Sequence, residues 1–365
     1  MTVIRTVLCE LLSVRYPIML AGMAGGPNTP ELVGAVSRAG AFGVLGVTGT
    51  TVGAVEAATA EAQSHANGAP IGVNVQLAPT TPATGTFERM VEVLAPFRAE
   101  LGLPREPARP PVPDPPHDLV EAALAGGARA VTTWHDPTPI LAMCRAAAVP
   151  VIAMTTTVEG GRLARDAGVD AVIAQGAESG GHRSTFGRDA AMAAETGTLA
   201  LVPQMRDALD GKLPIIASGG IADGRGIAAA MLVGAVGVSL GTVFLPALES
   251  GVAPIHREAL RGLQPEDTIV TDAVTGRPAR WIRNRIVDAL ATADVGTLGW
   301  GDQGAHLADI RRAAAEQGRA DLLPMLAGQA AGLAPAPCPA DLIVADLVAG
   351  THAALAMARG AAGPA

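Results

Sequence analysis

Two glycine-rich stretches hold the residues of this chain best suited to chemistry. In the first, a short apolar run over 171–174 leads into Gln175-Gly-Ala-Glu178-Ser-Gly180-Gly181-His182-Arg183-Ser-Thr-Phe-Gly187. Glycine lets backbone N–H groups approach a ligand closely. A histidine in such a loop, with its ordinary pKa near neutrality, can move protons at physiological pH, so His182 is the candidate base. The second stretch is Pro214-Ile-Ile-Ala-Ser218-Gly219-Gly220-Ile-Ala-Asp223-Gly224-Arg225-Gly226, and a third apolar run ends in Ser239-Leu240-Gly241-Thr242. Ser218, Gly219, Gly220, Gly241 and Thr242 form a phosphate cradle, because amides at strand-to-helix turns bind an anion without net positive charge.

Other polar residues fall at the ends of apolar runs. Asn74 closes one and either forms an Asx-type turn or hydrogen-bonds the edge of a cofactor ring. Gln175 brings a neutral amide that both donates and accepts. His135, after Trp134, either lines the same pocket or is structural, while His65, His117, His256, His306 and His352 read as solvated. Glu178 either orients its loop or is solvated, and Asp223 reads as a helix N-cap. Cys9, Cys144 and Cys338 are odd in number and far apart, which suits reduced thiols of a cytosolic protein, with Cys144 as helix packing. No histidine, cysteine or carboxylate spacing predicts a metal site, and no Gly-x-Ser-x-Gly elbow is present.

These residues need elements to position them. Apolar runs at 16–21, 41–47, 71–75, 130–133, 149–154, 171–174, 214–217 and 236–240 alternate with helical patterns such as 51–66, 140–147, 158–167 and 225–232. Thr29-Pro30-Glu31 opens the helix after the first run, with a cap, a first-turn proline and an acid at the positive end. Eight strand–helix units predict an α/β chain folded as a (β/α)8 TIM barrel, with chemistry at the C-terminal strand ends and phosphate at the loops after strands seven and eight. The pattern breaks between 78 and 116, where one helix over 87–101 precedes a segment, 104–116, with seven prolines; it reads as an extended excursion. After Pro246 the pattern predicts helices over 256–262, 280–291 and 306–317, capping the strand ends, and a frayed Ala/Gly-rich terminus over about the last ten residues.

Composition agrees. The 365 residues are 49% hydrophobic and 16% charged, enough for a large core. The formal net charge of −8 argues against binding nucleic acid or an anionic membrane. Glu10 and Arg15 interrupt the N-terminal apolar residues, so no signal peptide is visible. The uncharged span 226–248 is nominally long enough to cross a bilayer, but its glycines and its fit as helix then strand predict a buried soluble segment. A cytoplasmic monomer or homodimer is expected.

The chain resembles the nitronate monooxygenase family, formerly called 2-nitropropane dioxygenases, over nearly its whole length. The resemblance rests on Met23-Ala-Gly-Gly26, Gly72-Val-Asn74-Val75, residues 175–187 and 214–226, and Gly241-Thr-Val-Phe-Leu245. Thr275-Gly-Arg-Pro-Ala-Arg280, Trp300-Gly and Gln303-Gly304 add to it. It implies a barrel with a helical second domain that uses FMN and O2 to oxidise alkyl nitronates, releasing nitrite and a carbonyl compound. Residues 1–78, 117–246 and about 303–333 would form the FMN-binding barrel, 79–116 and 247–302 the helical lid or substrate domain, and 334–365 a C-terminal helical tail. By the same resemblance, Asn74, Gln175, Gly180, Gly181, Ser218, Gly219, Gly220, Ser239, Leu240, Gly241 and Thr242 hold the flavin. Met23 lies near its ring, and His182 removes the proton next to the nitro group or steers the nitronate. Ser239 stands where relatives often carry glutamine. The alternative is an NAD(P)H-dependent flavin reductase of quinones or enoyl thioesters, which shares the phosphate and histidine loops; enoyl reductases favour glutamate where Gln175 stands. A non-catalytic flavin-binding protein fits Gln175 and His182 less well.

Overall fold

The computed structural model describes residues 4–77, 81–107, 114–185 and 195–361. Phe186, Gly187 and part of the proline-rich excursion lie outside these residues. The strands are β1 (Ile18–Leu20), β2 (Gly43–Gly46), β3 (Ile71–Gln76), β4 (Val131–Trp134), β5 (Val151–Thr155), β6 (Ala171–Gln175), β7 (Gly181–His182), β8 (Ile215–Ser218), β9 (Gly237–Leu240), β10 (Thr268–Thr271) and β11 (Ala279–Ile282).

Eight strands form one parallel sheet in the order β1-β9-β8-β6-β5-β4-β3-β2. Its ends meet through a bridge between Met19 and Phe42, where Leu20 N–H donates to Phe42 O at 2.8 Å and Phe42 N–H to Ile18 O at 2.9 Å. The sheet is therefore the expected barrel. Parallel strands buried on both faces read as continuous apolar runs, which is why each of the eight barrel strands was legible. Along them residues alternate between two cores. Met19, Phe42, Ile152, Ile173 and Ile216 fill one, together with Leu8 and Leu12 of an unanticipated N-terminal helix, Val7–Leu12. Val73, Val131, Val172, Ala174 and Val238 pack in the other with the surrounding helices.

The register brings the polar strand ends level. Asn74 pairs with Thr132, Gln175 with Ser218, and Ser218 with Ser239. Thr29 caps the helix Pro30–Arg38 by accepting from Leu32 N–H at 3.0 Å, and Asp223 caps Gly224–Leu232 through Arg225 N–H at 2.9 Å. Cys144 is buried in the helix Thr138–Ala146, and burial first, then the charge of Asp170, pushes its thiol up to about 11.

The uncharged span 226–248 is helix, strand β9 and a short 3-10 turn, Thr242–Phe244. No long helix follows β9 directly. Its place against Gly224–Leu232 and Pro30–Arg38 is taken by the last helix, Ala340–Ala361. Ala340, Ile343, Val344 and Leu347 join the barrel core, so the expected tail completes the ring of outer helices. Helix continues to Ala361 where fraying was expected; 362–365 lie outside the described residues. This helix is also long and apolar enough to cross a membrane.

A second apolar cluster joins Met90, Leu94, Trp281, Ile286, Leu307 and Ile310. It includes much of 303–333, expected with the barrel, because Leu307, Ile310, Ala314 and Leu322 turn their apolar faces to Trp281 and its neighbours. Nor is the region purely helical. Residues 280–282 belong to β11, with helix only from Arg285 to Thr292, and β10-β11-β7 form an antiparallel sheet. Thr268-Ile-Val-Thr271 and Ala279-Arg-Trp-Ile282 are β-branched or aromatic runs that favour a strand. The expected helices at 256–262 and 306–317 are Pro254–Ala259 and Ala308–Glu316.

Gly224 lies at a close helix crossing: a Cβ there would meet the carbonyl carbon of Gly350 and the amide of Thr351, each at 2.1 Å. Overpacking of this kind costs about 1–3 kcal/mol. Gly224→Ala should lower the unfolding free energy by about that amount in urea titrations; wild-type stability would show that the close crossing is dispensable.

Candidate active site

A cavity of about 560 Å³ opens where the C-terminal strand ends meet the second cluster, a size suited to a cofactor and small substrate. Met23, Asn74, Gln175 and Ser218 line it from the strand ends, with Gly219 and Gly220 beside them. Ser239, Leu240, Gly241 and Thr242 line it after β9, and Gly180, Gly181 and His182 contribute the histidine loop. His135 is not among the lining residues. It follows the end of β4 with a left-handed φ of 70° and is buried, while Trp134, one residue earlier, lines the cavity. Burial first, then the charge of Arg277, holds the His135 imidazole down at about 4.

Several contacts fix the histidine loop. Gln175 clamps it from both ends of its amide: Oε1 accepts from Ser184 N–H at 2.9 Å, and Nε2 donates to His182 O at 2.9 Å. The Gln175 amide is thus spent on the loop. β7 pairs with β11, His182 opposite Ala279 and Gly181 opposite Arg280. Arg183 donates to Gly176 O at 2.6 Å, and Arg280 to Ala177 O at 2.7 Å. Glu178 accepts from Thr198 N–H at 3.0 Å and from its hydroxyl at 3.1 Å, so it orients the loop. Asn74 donates to Thr132 Oγ1 at 2.8 Å.

His182 lies among all three tryptophans of the chain. It stacks on Trp134 at 5.4 Å and meets Trp300 and Trp281 edge-on at 4.9 and 6.1 Å. Its Nε2 is 2.8 Å from Thr275 Oγ1. That hydroxyl also reaches Arg277 O at 3.3 Å; donating there, it accepts from Nε2–H and leaves Nδ1 as the basic nitrogen, an assignment from the hydrogen-bond network. Burial first, then the charges of Arg311 and Arg277, lowers the imidazole to about 3. The near-neutral value expected from sequence does not hold in this pocket, because burial and the nearby cations oppose the charged ring and no carboxylate among the described residues lines the cavity to offset them.

Besides the tryptophans, Gln76, Arg311, His256 and Thr275 line the cavity and lay outside the sequence-based set. Gln76 is buried, and neither end of its amide has a partner. Arg311 is likewise without a partner at Nε and Nη2, and its guanidinium lies 5.7 Å over the Trp281 ring. His256 is lowered to about 4 by burial, which outweighs its bond to Leu326 O at 3.1 Å. Thr275 belongs to a motif singled out above, but nothing in the sequence linked its hydroxyl to His182.

This is a (β/α)8-barrel enzyme whose site is built across the C-terminal strand ends and a second apolar cluster. A family model described as nitronate monooxygenase matches residues 5–350, and the chain belongs to that family. It is 33% identical over 327 residues to a probable nitronate monooxygenase of Staphylococcus saprophyticus, covering 87% of this chain and 90% of that one. It is 32% identical over 345 residues to one of Staphylococcus aureus strain Newman, covering 93% and 96%. Among solved structures it is similar to nitroalkane oxidase from Streptomyces ansochromogenes, with TM-score 0.85, 32% identity and coverage of 96% and 99%. It is also similar to FabK from Thermotoga maritima, with TM-score 0.76, 29% identity and coverage of 98% and 99%.

The lowered histidines make stability depend on pH. His182 at about 3, with His135 and His256 at about 4, stays neutral in the folded protein, whereas the unfolded chain takes up protons near 6.5. Their contribution is complete above 6.5 and is lost as pH falls toward the folded values. Each imidazole contributes a slope of up to about 1.4 kcal/mol per pH unit inside that window. Urea unfolding should show stability falling from pH 7 to pH 5, with proton uptake on unfolding; a flat profile would contradict the assigned burial.

Proposed function

We propose that this enzyme oxidises alkyl nitronates with O2, using FMN, to a carbonyl compound and nitrite. The observation that carries the reading is His182, held neutral in its tryptophan cage beside an amide-lined anion cradle in one cavity. The cradle suits the phosphate of FMN. The amides of Gly219, Gly220, Gly241 and Thr242 make no hydrogen bond among the described residues. Gly219 and Gly220 have φ of 107° and 68°, a backbone that only glycine adopts without strain. The unpartnered Gln76 amide, with Asn74 nearby, suits the polar edge of the ring, and Met23, Gly180 and Gly181 line the remaining wall. A flavin held by these residues would supply the electron transfer between substrate and O2.

The protein binds, orients and excludes water. Residues 79–116 and 247–302 form the proposed lid, joined by the 303–333 segment whose apolar faces pack with them. With neutral nitroalkanes His182 takes the proton from the carbon next to the nitro group. With nitronates that proton is already gone, and His182 positions the anion. A pKa of about 3 makes the unliganded imidazole a poor base, so the anionic substrate suits it better. The second reading, an NAD(P)H-dependent flavin reductase, has the similarity to FabK on its side.

Purified protein should release FMN on denaturation, and Gly220→Asp, adding bulk and negative charge at the cradle, should abolish retention. Protein that is colourless and cannot be reconstituted with FMN would end this reading. His182→Asn should cut nitroalkane oxidation by about 10²–10⁴-fold and nitronate oxidation by less; equal losses with flavin retained would make His182 a positioning residue only. Anaerobic mixing separates the two readings: nitronate reduces the flavin under the first, NADH under the second.

A further inference from the structure

Among the described residues the cavity is lined by no aspartate, glutamate or lysine, and Arg311 is the one permanently charged residue that lines it. The fully buried arginines are satisfied: Arg98 pairs with Asp309, and Arg183 and Arg280 donate to loop carbonyls. Arg311 has Nε and Nη2 buried without any hydrogen-bond partner, and none of the described residues accepts from its guanidinium. Burial lowers it only to about 10, so it remains charged at neutral pH. The helix Ala308–Glu316 carries it, its backbone N–H donates to Leu307 O at 2.9 Å, and the Trp281 ring braces the guanidinium. Trp281 also meets His182, so the unpartnered fork belongs to the His182 side of the cavity.

A guanidinium whose enclosed donors lack partners is costly alone and binds strongly to a group that fills them. Its planar fork matches two oxygens on one atom better than a single charge does. We propose that Arg311 anchors the substrate by a planar two-oxygen anion, either the nitronate group itself or a carboxylate further along the same molecule. This rests on the nitronate reading given above and adds to it a requirement for anionic substrates.

The test compares wild type with Arg311→Met and Arg311→Lys, all loaded with FMN. Substrates are an alkyl nitronate, a nitronate of matched length ending in a carboxylate, and a neutral nitroalkane. Binding of propionate, followed by tryptophan fluorescence, gives a readout independent of turnover. A hydrogen-bonded charge pair contributes about 1.5–3 kcal/mol. Arg311→Met should therefore raise KM for the anchored substrate by about 10–100-fold with kcat little changed, and weaken propionate by a similar factor. The nitroalkane KM should stay unchanged, which a merely structural role would not allow. Arg311→Lys keeps charge without the fork and should fall between, and it decides the matter if the methionine variant does not fold. Loss on both nitronates identifies the nitronate group as the anchor; loss on the carboxylated one alone identifies the distal carboxylate. Wild-type KM and propionate binding in the variants, equal losses on the neutral nitroalkane, or no propionate binding by wild type would overturn the proposal. If wild type oxidises no nitronate, the functional reading fails, and the propionate titration still decides the role of Arg311.

Discussion

The site depends on two residue pairs, Gly181–His182 laid antiparallel against Ala279–Arg280. One side of that pairing is tied to the barrel, since Gln175 at the end of β6 grips both the His182 carbonyl and the Ser184 amide. The other side is tied to the second cluster through Trp281. Without the pairing, His182 would hang on a glycine loop with little to define its ring. With it, Thr275, Trp281 and Trp300 reach the imidazole from segments about a hundred residues downstream. Arg311 follows by bracing on Trp281. The constellation belongs to neither layer alone.

Its electrostatics follow from what the walls lack. Aromatic rings desolvate the imidazole and nearby cations oppose its protonation, while no carboxylate among the described residues lines the cavity to offset them. The pocket therefore holds a neutral histidine and an unpartnered positive charge together. An incoming anion relieves both conditions, because it fills the guanidinium fork and favours a proton on the imidazole.

The barrel was legible because parallel strands buried on both faces leave continuous apolar runs, and because glycine and capping residues mark the turns between them. The same reasoning marked Ser218, Gly219, Gly220, Gly241, Thr242 and His182, which line one cavity, because glycine-rich turns at the ends of apolar runs stand out in a single window. It could not find Gln76, Arg311 or His256, since each acquires its meaning from a packing partner far along the chain. His135 failed for a local reason: one left-handed residue after β4 leaves Trp134 lining the cavity in its stead. The strand at 279–282 was hidden because its partners are a two-residue segment and a strand beyond a turn. No periodicity in a single window reveals a pairing across that distance.

The last helix sits between the helix Gly224–Leu232 and the helix Pro30–Arg38, which gives the molecule a direction in time. During synthesis the strands emerge in order, and β9 can dock beside β1 as soon as it appears. The groove between the helices that flank this seam stays uncovered until residues 340–361 leave the ribosome. Its apolar walls are then exposed for the whole translation of the second cluster. A chain in that condition is open to association with its neighbours, and docking of this helix closes the outer ring and covers the seam from outside.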